Sequence, residues 1–221
     1  MPTWDELYAD PALLPVPDEP ESFVTRALEG LAAPRATPVL DVGCGAGRHL
    51  LWLQRHGFAA YGTDLAPHGL ARARDLLRDE GGAVRVVLAD MRALPFADGS
   101  FGAVIAHHVL YHCVTADVRR AIAEAGRVLR DEGVLVGTLL STRAWKHGEG
   151  ERLEPSTYRQ ERGPEAGVVH HYCDEVGARE LLADYDVDGL ALDEFSDDEG
   201  HRHSHWRFVA IWRNRGRPKR L

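Results

Sequence analysis

Cysteine is scarce in this chain, and what little there is stands apart. Cys44, Cys113 and Cys173 form no C-x-x-C pair, so neither a disulfide framework nor a thiolate zinc site is expected. Long apolar runs are missing too. Nothing approaches the ~20 residues that a bilayer-crossing helix needs, and the N-terminal stretch with Trp4, Asp5, Glu6 and several prolines lacks the basic and apolar segments of a secretory leader. These absences point to a cytoplasmic protein with no membrane partner. Positive charge is also in deficit, with 26 Lys and Arg against 34 Asp and Glu and a net charge of -8. That balance disfavours a phosphate-backbone partner, so no nucleic acid is expected. The one basic run, Arg213 to Arg220, reads as a solvated terminal tail.

The composition is otherwise that of a packed domain, 44% hydrophobic over 221 residues, and a sheet covered on both faces commonly reaches this length as one unit. Short β-branched runs alternate with helical patterns, which predicts an α/β fold with a mostly parallel sheet and crossover helices. The helices are expected near Glu21 to Leu31, Arg48 to His56, Pro67 to Glu80, Thr115 to Arg130 and Asp174 to Ala183. The last two strands are placed at Val187 to Phe195 and Trp206 to Trp212, joined through the polar stretch Ser196 to Ser204 as a hairpin or long turn.

The most informative segment is Asp41-Val42-Gly43-Cys44-Gly45-Ala46-Gly47, after the apolar Val39-Leu40 and before a helical pattern. It describes a strand ending in a carboxylate, a turn on three glycines and a helix N-terminus. Side chains at Gly43, Gly45 or Gly47 would hold a ligand off the backbone or forbid the φ values of so tight a turn, and the first helical amides point at whatever occupies it. The dinucleotide fingerprint G-x-G-x-x-G is not met, because Arg48 stands where its third glycine belongs. Further on, Phe58 to Asp64 reads as a second strand ending in a carboxylate 23 residues after Asp41, where a ribose-binding acid is expected. Val84 to Leu88 closes on Ala89-Asp90-Met91. Leu94 to Phe101 leads into Ala103 to His107, and Arg127 to Gly137 reads as helix, turn and strand.

Taken together, Thr37 to Leu140 resembles the class I S-adenosylmethionine-dependent methyltransferases, of the small-molecule, methyltransferase-11-like kind. One departure is Gly102, where that family often has an aspartate after the phenylalanine. The resemblance implies a Rossmann-like, seven-stranded, mostly parallel sheet with helices on both faces and an antiparallel last strand. It implies S-adenosyl-L-methionine as cofactor, S-adenosyl-L-homocysteine as product, and a cofactor cleft of Asp41, Gly43, Cys44, Gly45, Gly47, Asp64, Leu65, Asp90, Met91 and His107. The carbonyls and amides of Gly43 and Cys44 would meet the amino-acid end, Asp64 the ribose and Asp90 the adenine. Plainer readings stand beside these: Asp41 as a bond to loop amides, Asp90 as a helix cap, Met91 as packing and Cys44 as a small side chain in a crowded loop.

A single domain over residues 1–221 is expected, with an N-terminal arm and helix (1–36), the cofactor-binding core (37–140), an acceptor-site cover (141–172) and a C-terminal helix and hairpin (173–221). The arm, with Trp4, Tyr8 and Phe23 among Pro11, Pro15, Pro17 and Pro20, is expected to be semi-rigid rather than helical. Ser141 to His171 is longer than an ordinary loop, and both segments can close over the carboxyl edge of the sheet, where ligands bind in such folds. Methyl transfer is an in-line displacement that needs alignment and the exclusion of water. A base is required only for a protonated acceptor, and histidine suits that task. Among 12 histidines the catalytic candidates are His107 at the fourth strand's end and the pair His170-His171, while His112 is read as structural. His201, His203 and His205 would share one strand face, but no carboxylate or cysteine stands at metal spacing, so no metal is expected. The partner is then a small-molecule acceptor and the protein a monomer or homodimer. The alternatives are an NAD-dependent oxidoreductase and a non-catalytic S-adenosylmethionine-binding protein.

Overall fold

The computed structural model describes residues 4–10, 19–30 and 37–213. Pro11, Pro15, Pro17, Leu31 and the basic tail beyond Arg213 lie outside the described residues. In chain order the elements are α1 (Trp4–Ala9), α2 (Ser22–Glu29), β1 (Pro38–Val42), α3 (Arg48–Arg55), β2 (Ala59–Asp64), α4 (Pro67–Asp79), β3 (Val86–Leu88) and β4 (Phe101–Ala106). They continue with α5 (Thr115–Val128), β5 (Leu129–Ser141), β6 (Glu151–Glu154), β7 (Thr157–Arg159), β8 (Val169–Cys173), α6 (Glu175–Leu181), β9 (Tyr185–Ser196) and β10 (Arg202–Trp212).

Seven strands form the main sheet in the order β3-β2-β1-β4-β5-β10-β9. The first five are parallel to their neighbours, whereas β10 runs antiparallel to β5 and β9 antiparallel to β10. The reversal of strand order between β1 and β4 opens a crevice above their carboxyl ends, where open α/β sheets bind ligands.

Side-chain alternation divides the core between the two faces. On β4, Phe101, Val104 and Ala106 pack with α5 and α6 residues such as Ile122, Ala125 and Leu181. The intervening Ala103 and Ile105 pack with Leu28 of α2, Leu50 and Leu53 of α3 and Leu70 of α4. Because both faces are covered, β4 is buried at every position, which is why it reads as an unbroken apolar run. No helix among the described residues is long and apolar enough to cross a membrane.

Gly137 shows how tight the centre is. It pairs with Ala106 on one side and Phe208 on the other, and an added Cβ would lie 2.6 Å from the Ala106 carbonyl oxygen and 2.8 Å from Phe208 Cζ. Backbone cannot give way there, so Gly137→Ala is expected to destabilise the fold by ~1–3 kcal/mol. Calorimetry should find Tm lowered by about 2–12 °C; an unchanged Tm would mean that the strand spacing is softer than described.

Two segments depart from expectation. Trp4–Ala9 is helical, because the prolines that suggested a stiff arm all follow the helix and Asp5 and Glu6 complement its N-terminus. Asp5 anchors it to α4, accepting from the His68 backbone N–H at 2.6 Å and bonding the His68 ring at 2.9 Å. The long segment after β5 supplies three further strands. β6, β7 and β8 form an antiparallel sheet, and β8 joins the end of β5 through Leu140↔Tyr172 and Ser141↔Cys173. The last strand also begins earlier than expected, at Arg202. His203 and His205 therefore lie within it, opposite Phe195 and Asp193.

Candidate active site

The glycine turn is held by the neighbouring strand. Gly43 and Cys44 both donate their backbone N–H to the Thr63 carbonyl, at 2.7 and 3.0 Å, so these two amides are not free for a ligand as expected. Gly43, Gly45 and Gly47 take φ values of +70°, +50° and +91°, the left-handed region that side chains disfavour. Asp64, at the end of β2, accepts from the Gly45 amide at 2.8 Å and from the Ala66 amide at 2.8 Å. One carboxylate therefore ties the glycine turn to the start of α4. Burial raises the Asp64 carboxyl above its ordinary value, against the amide bonds that lower it.

Two cavities open above this turn. The smaller, of about 130 Å³, is walled by Val42, Asp64, Leu65, Ala89, Met91 and Val109. The larger, of about 420 Å³, runs under the insert and takes in Cys44, Arg48, His107, His170, Tyr172 and His205. Trp4, Tyr8, Gly43, His108 and His112 line both and so mark the junction. Tyr8 packs directly on the turn: an added Cβ on Gly45 would lie 2.1 Å from its hydroxyl oxygen.

The sequence-derived candidates divide accordingly. Gly43, Cys44, Asp64, Leu65, Met91, His107 and His170 line a cavity. Asp41, Gly45, Gly47, Asp90 and His171 line neither. Asp41 is buried, with Oδ2 3.6 Å from His49 Nδ1. The Asp90 carboxylate is gripped by Arg92, whose Nη2 donates at 2.6 Å and Nε at 2.9 and 3.0 Å, while Arg92 Nη1 donates to Asp117 at 2.6 Å. Those bonds hold the Asp90 carboxyl below its ordinary value. Strand alternation separates the histidine pair, since His171 turns to Thr157 Oγ1 at 2.8 Å and Thr115 Oγ1 at 3.2 Å, away from the chamber that His170 faces. The Cys44 thiol is pushed well above its ordinary pKa by burial and by Asp41, which removes it as a nucleophile.

Hydrogen-bond partners determine which imidazole nitrogens are bare. Arg48 Nη2 lies 3.2 Å from His107 Nδ1, and a guanidinium only donates, so Nδ1 is the acceptor and neutral His107 presents Nε2–H. Burial, then His108, His49 and Arg48, lower its pKa. His107 thus meets a ligand as a donor rather than a base. His108 has φ of +53°, rare for a non-glycine residue. Its amide donates to Thr138 Oγ1 at 2.8 Å and its ring stacks between His107 and His205, with centroids at 4.0 and 4.4 Å. Of the late histidine row, His203 bonds Asp197 at 2.9 Å and stacks on Phe195, while His205 bonds the Tyr111 hydroxyl at 3.4 Å.

Sequence reasoning did not single out Arg48, His108 or Glu165. Their only signal is adjacency to the glycine turn, to the fourth strand's end and to the insert, and nothing local shows which way they face.

This cluster has a measurable acid response. Burial holds His170 and His205 down to about 4 in the fold, against ~6.5 when unfolded. A depressed histidine is neutral in both states above ~6.5, so its stability is fully present there and is lost as pH falls toward 4, where the unfolded chain binds the extra protons. Tm should be flat above about pH 7 and fall between about 6.5 and 4. His170→Gln with His205→Gln should lessen that fall, the rest coming from His107, His108 and His112, which burial also holds below their ordinary values; an unaltered slope in the double variant would place the effect elsewhere.

Against this geometry the comparisons with known proteins are specific. A methyltransferase-domain family model matches residues 40–137, from the last half of β1 into β5. Residues 40–137, 98 of the 221, are thus similar to methyltransferase domains, and the described fold is shared with S-adenosylmethionine-dependent methyltransferases. Methyltransferase GfsG of Streptomyces halstedii is 36% identical over 132 residues, covering 58% of this chain and 47% of that protein. Demethylmenaquinone methyltransferase of Thermus thermophilus is 39% identical over 100 residues, covering 44% of each chain. The chain thus spans about half the length of the curated relatives that it matches. Among solved structures, a methyltransferase of Methanosarcina mazei superposes with a TM-score of 0.74 at 19% identity, covering 88% of this chain and 99% of that one. The fold is therefore that of this methyltransferase class, and the class uses S-adenosyl-L-methionine.

Proposed function

We propose that the protein transfers a methyl group from S-adenosyl-L-methionine to a small-molecule acceptor. The observation that carries this reading is the shared wall: the cavity at Asp64 and Met91 and the chamber at His170 meet at Gly43, His108 and His112. A donor in one and an acceptor in the other would be brought face to face there. The residues present fit the cofactor. Gly43 brings bare backbone to the wall of both cavities, Asp64 offers its remaining lone pairs to the ribose hydroxyls, and Leu65, Ala89 and Met91 supply an apolar flank for the adenine. Asp90 serves here as the anchor of Arg92. The cofactor's contribution is an activated methyl on a sulfonium.

The chain's own contribution is alignment and exclusion of water. Helix α1 and strand β8 wall the chamber, His107 donates to the acceptor through Nε2–H, and His170 contacts it from the cover. His171 holds the insert to Thr115. A chamber of about 420 Å³ suits a small molecule, whose sites run to ~300–1,000 Å³. One solved neighbour, from Burkholderia thailandensis, was captured with 1,6-didemethyltoxoflavin and S-adenosylhomocysteine; it aligns with a TM-score of 0.66 at 19% identity, over 95% of this chain and 82% of that one.

Calorimetric titration with S-adenosylhomocysteine, S-adenosylmethionine and NADH tests the cofactor. Micromolar binding of the first two and none of NADH is expected. A protein that binds NADH alone, or none of the three, would end the proposal.

A further inference from the structure

The larger cavity carries a chemical preference that methyl transfer alone does not specify. Four charged residues line it, and they pair among themselves: Lys146 Nζ with Glu165 Oε2 at 2.8 Å, and Arg48 Nη1 with Glu21 Oε1 at 3.5 Å. No charge is left over to match an ionised guest. The remaining wall is largely aromatic, with Trp4, Tyr111, Trp145 and Tyr172 among its rings.

Beside the donors at His107 Nε2–H and the unpartnered Tyr172 hydroxyl, the wall leaves hydrogen-bond acceptance open. His112 lies 3.0 Å through Nε2 from the His108 carbonyl oxygen. A carbonyl only accepts, so Nε2 carries the proton and Nδ1 of the neutral ring is a bare lone pair. That Nδ1 is buried without a partner. Both ring nitrogens of His170, 5.0 Å away between ring centroids, are likewise unpartnered, and Glu165 Oε2 at 3.7 Å from Nε2 favours the tautomer that bares Nδ1. Buried polar atoms are normally satisfied, and exceptions call for a ligand or another explanation. His112 is also one of the residues shared by the two cavities, so its ring stands at their junction.

We infer that the acceptor is an uncharged planar aromatic molecule whose methyl-accepting atom bears a proton, a phenolic hydroxyl or a ring N–H, and that His112 Nδ1 takes that proton. The inference rests on the methyl-transfer reading. In the step, the acceptor's lone pair forms the new bond to the methyl carbon. The carbon–sulfur bond pair returns to sulfur as the thioether, the O–H or N–H pair stays on the acceptor, and its proton passes to His112 Nδ1 and then to solvent as product leaves.

The test uses matched pairs on the full-length protein saturated with S-adenosylhomocysteine: 1-naphthol against 1-methoxynaphthalene, and indole against 1-methylindole, with 1-naphthoate as the anion. The proton-bearing member of at least one pair should bind at least ten-fold tighter than its methylated partner, and tighter than naphthoate. His112→Phe should erase most of that difference and His112→Asn, which keeps an acceptor oxygen, should restore part of it. Failure of S-adenosylhomocysteine itself to bind the wild type would defeat the underlying cofactor reading. Binding of S-adenosylhomocysteine with no discrimination in either pair, or with naphthoate preferred, would overturn the inference while leaving methyl transfer intact. Discrimination that survives in a folded His112→Phe protein would remove His112 as the proton acceptor.

Discussion

Asp64→Ala should weaken S-adenosylhomocysteine binding by about 1–3 kcal/mol, roughly 5- to 150-fold, through lost ribose hydrogen bonds and a loosened glycine turn. The carboxylate has two structural partners, the Gly45 and Ala66 amides at 2.8 Å each. Removing it leaves both N–H groups seeking water in a half-buried site. Asp64→Asn is expected to do little better, because an amide side chain has a single acceptor oxygen and would set its NH2 against one of those donors. Calorimetric titration of both variants measures the effect. Wild-type affinity in Asp64→Ala would show that neither the ribose contact nor the tie to Gly45 matters.

Gly43→Ala is expected to abolish measurable cofactor binding and to lower stability together. Its φ of +70° costs a side-chain-bearing residue ~1–2 kcal/mol, and the new Cβ would stand 2.5 Å from Val109 Cγ2 and 2.7 Å from Val109 Cβ. A β-branched neighbour held so close to its own backbone has little room to yield, so overpacking adds ~1–3 kcal/mol. The displaced turn would intrude where the two cavities meet. Gly81→Ala is the control, since it shares a φ of +68° but has no atom within 4 Å of the new Cβ. It should lose about 1–2 kcal/mol of stability and bind S-adenosylhomocysteine normally. Equal behaviour of the two variants would mean that conformational strain, rather than the crowded turn, is what matters at Gly43.

Much of this architecture is local in origin, and there the sequence is legible. Pro67 opens α4 at the position where a missing N–H is harmless, and α4 runs to Asp79, one residue short of expectation. Gly47 caps α3, which ends at Arg55 beside the anticipated His56. The central parallel strands β1 and β4 announce themselves as short apolar runs because they are buried on both faces. Asp64 falls on the site because a strand's carboxyl end always faces the crevice in this topology.

The histidines mark where local reasoning stops. His170 and His171 are neighbours in sequence with the same chemistry, yet the pleat of β8 sends one into the chamber and the other to Thr157. His107 stands at the expected strand end, but Arg48, 59 residues earlier, occupies the lone pair that a base would need. Asp90 occupies the expected turn, and Arg92 with Asp117 claims its carboxylate. His112 gains its open Nδ1 only because the chain turns its Nε2 onto the His108 carbonyl. Glycine spacing and the strand-end carboxylate of Asp64 suffice to predict a ligand crevice at the carboxyl edge of a mostly parallel sheet, since turns, caps and burial patterns depend on residues near in sequence. The polarity of the larger cavity depends on which side chains from α1, β8 and β10 meet across the cleft. Tertiary packing alone decides that, because an imidazole's role is set by partners that lie far away along the chain.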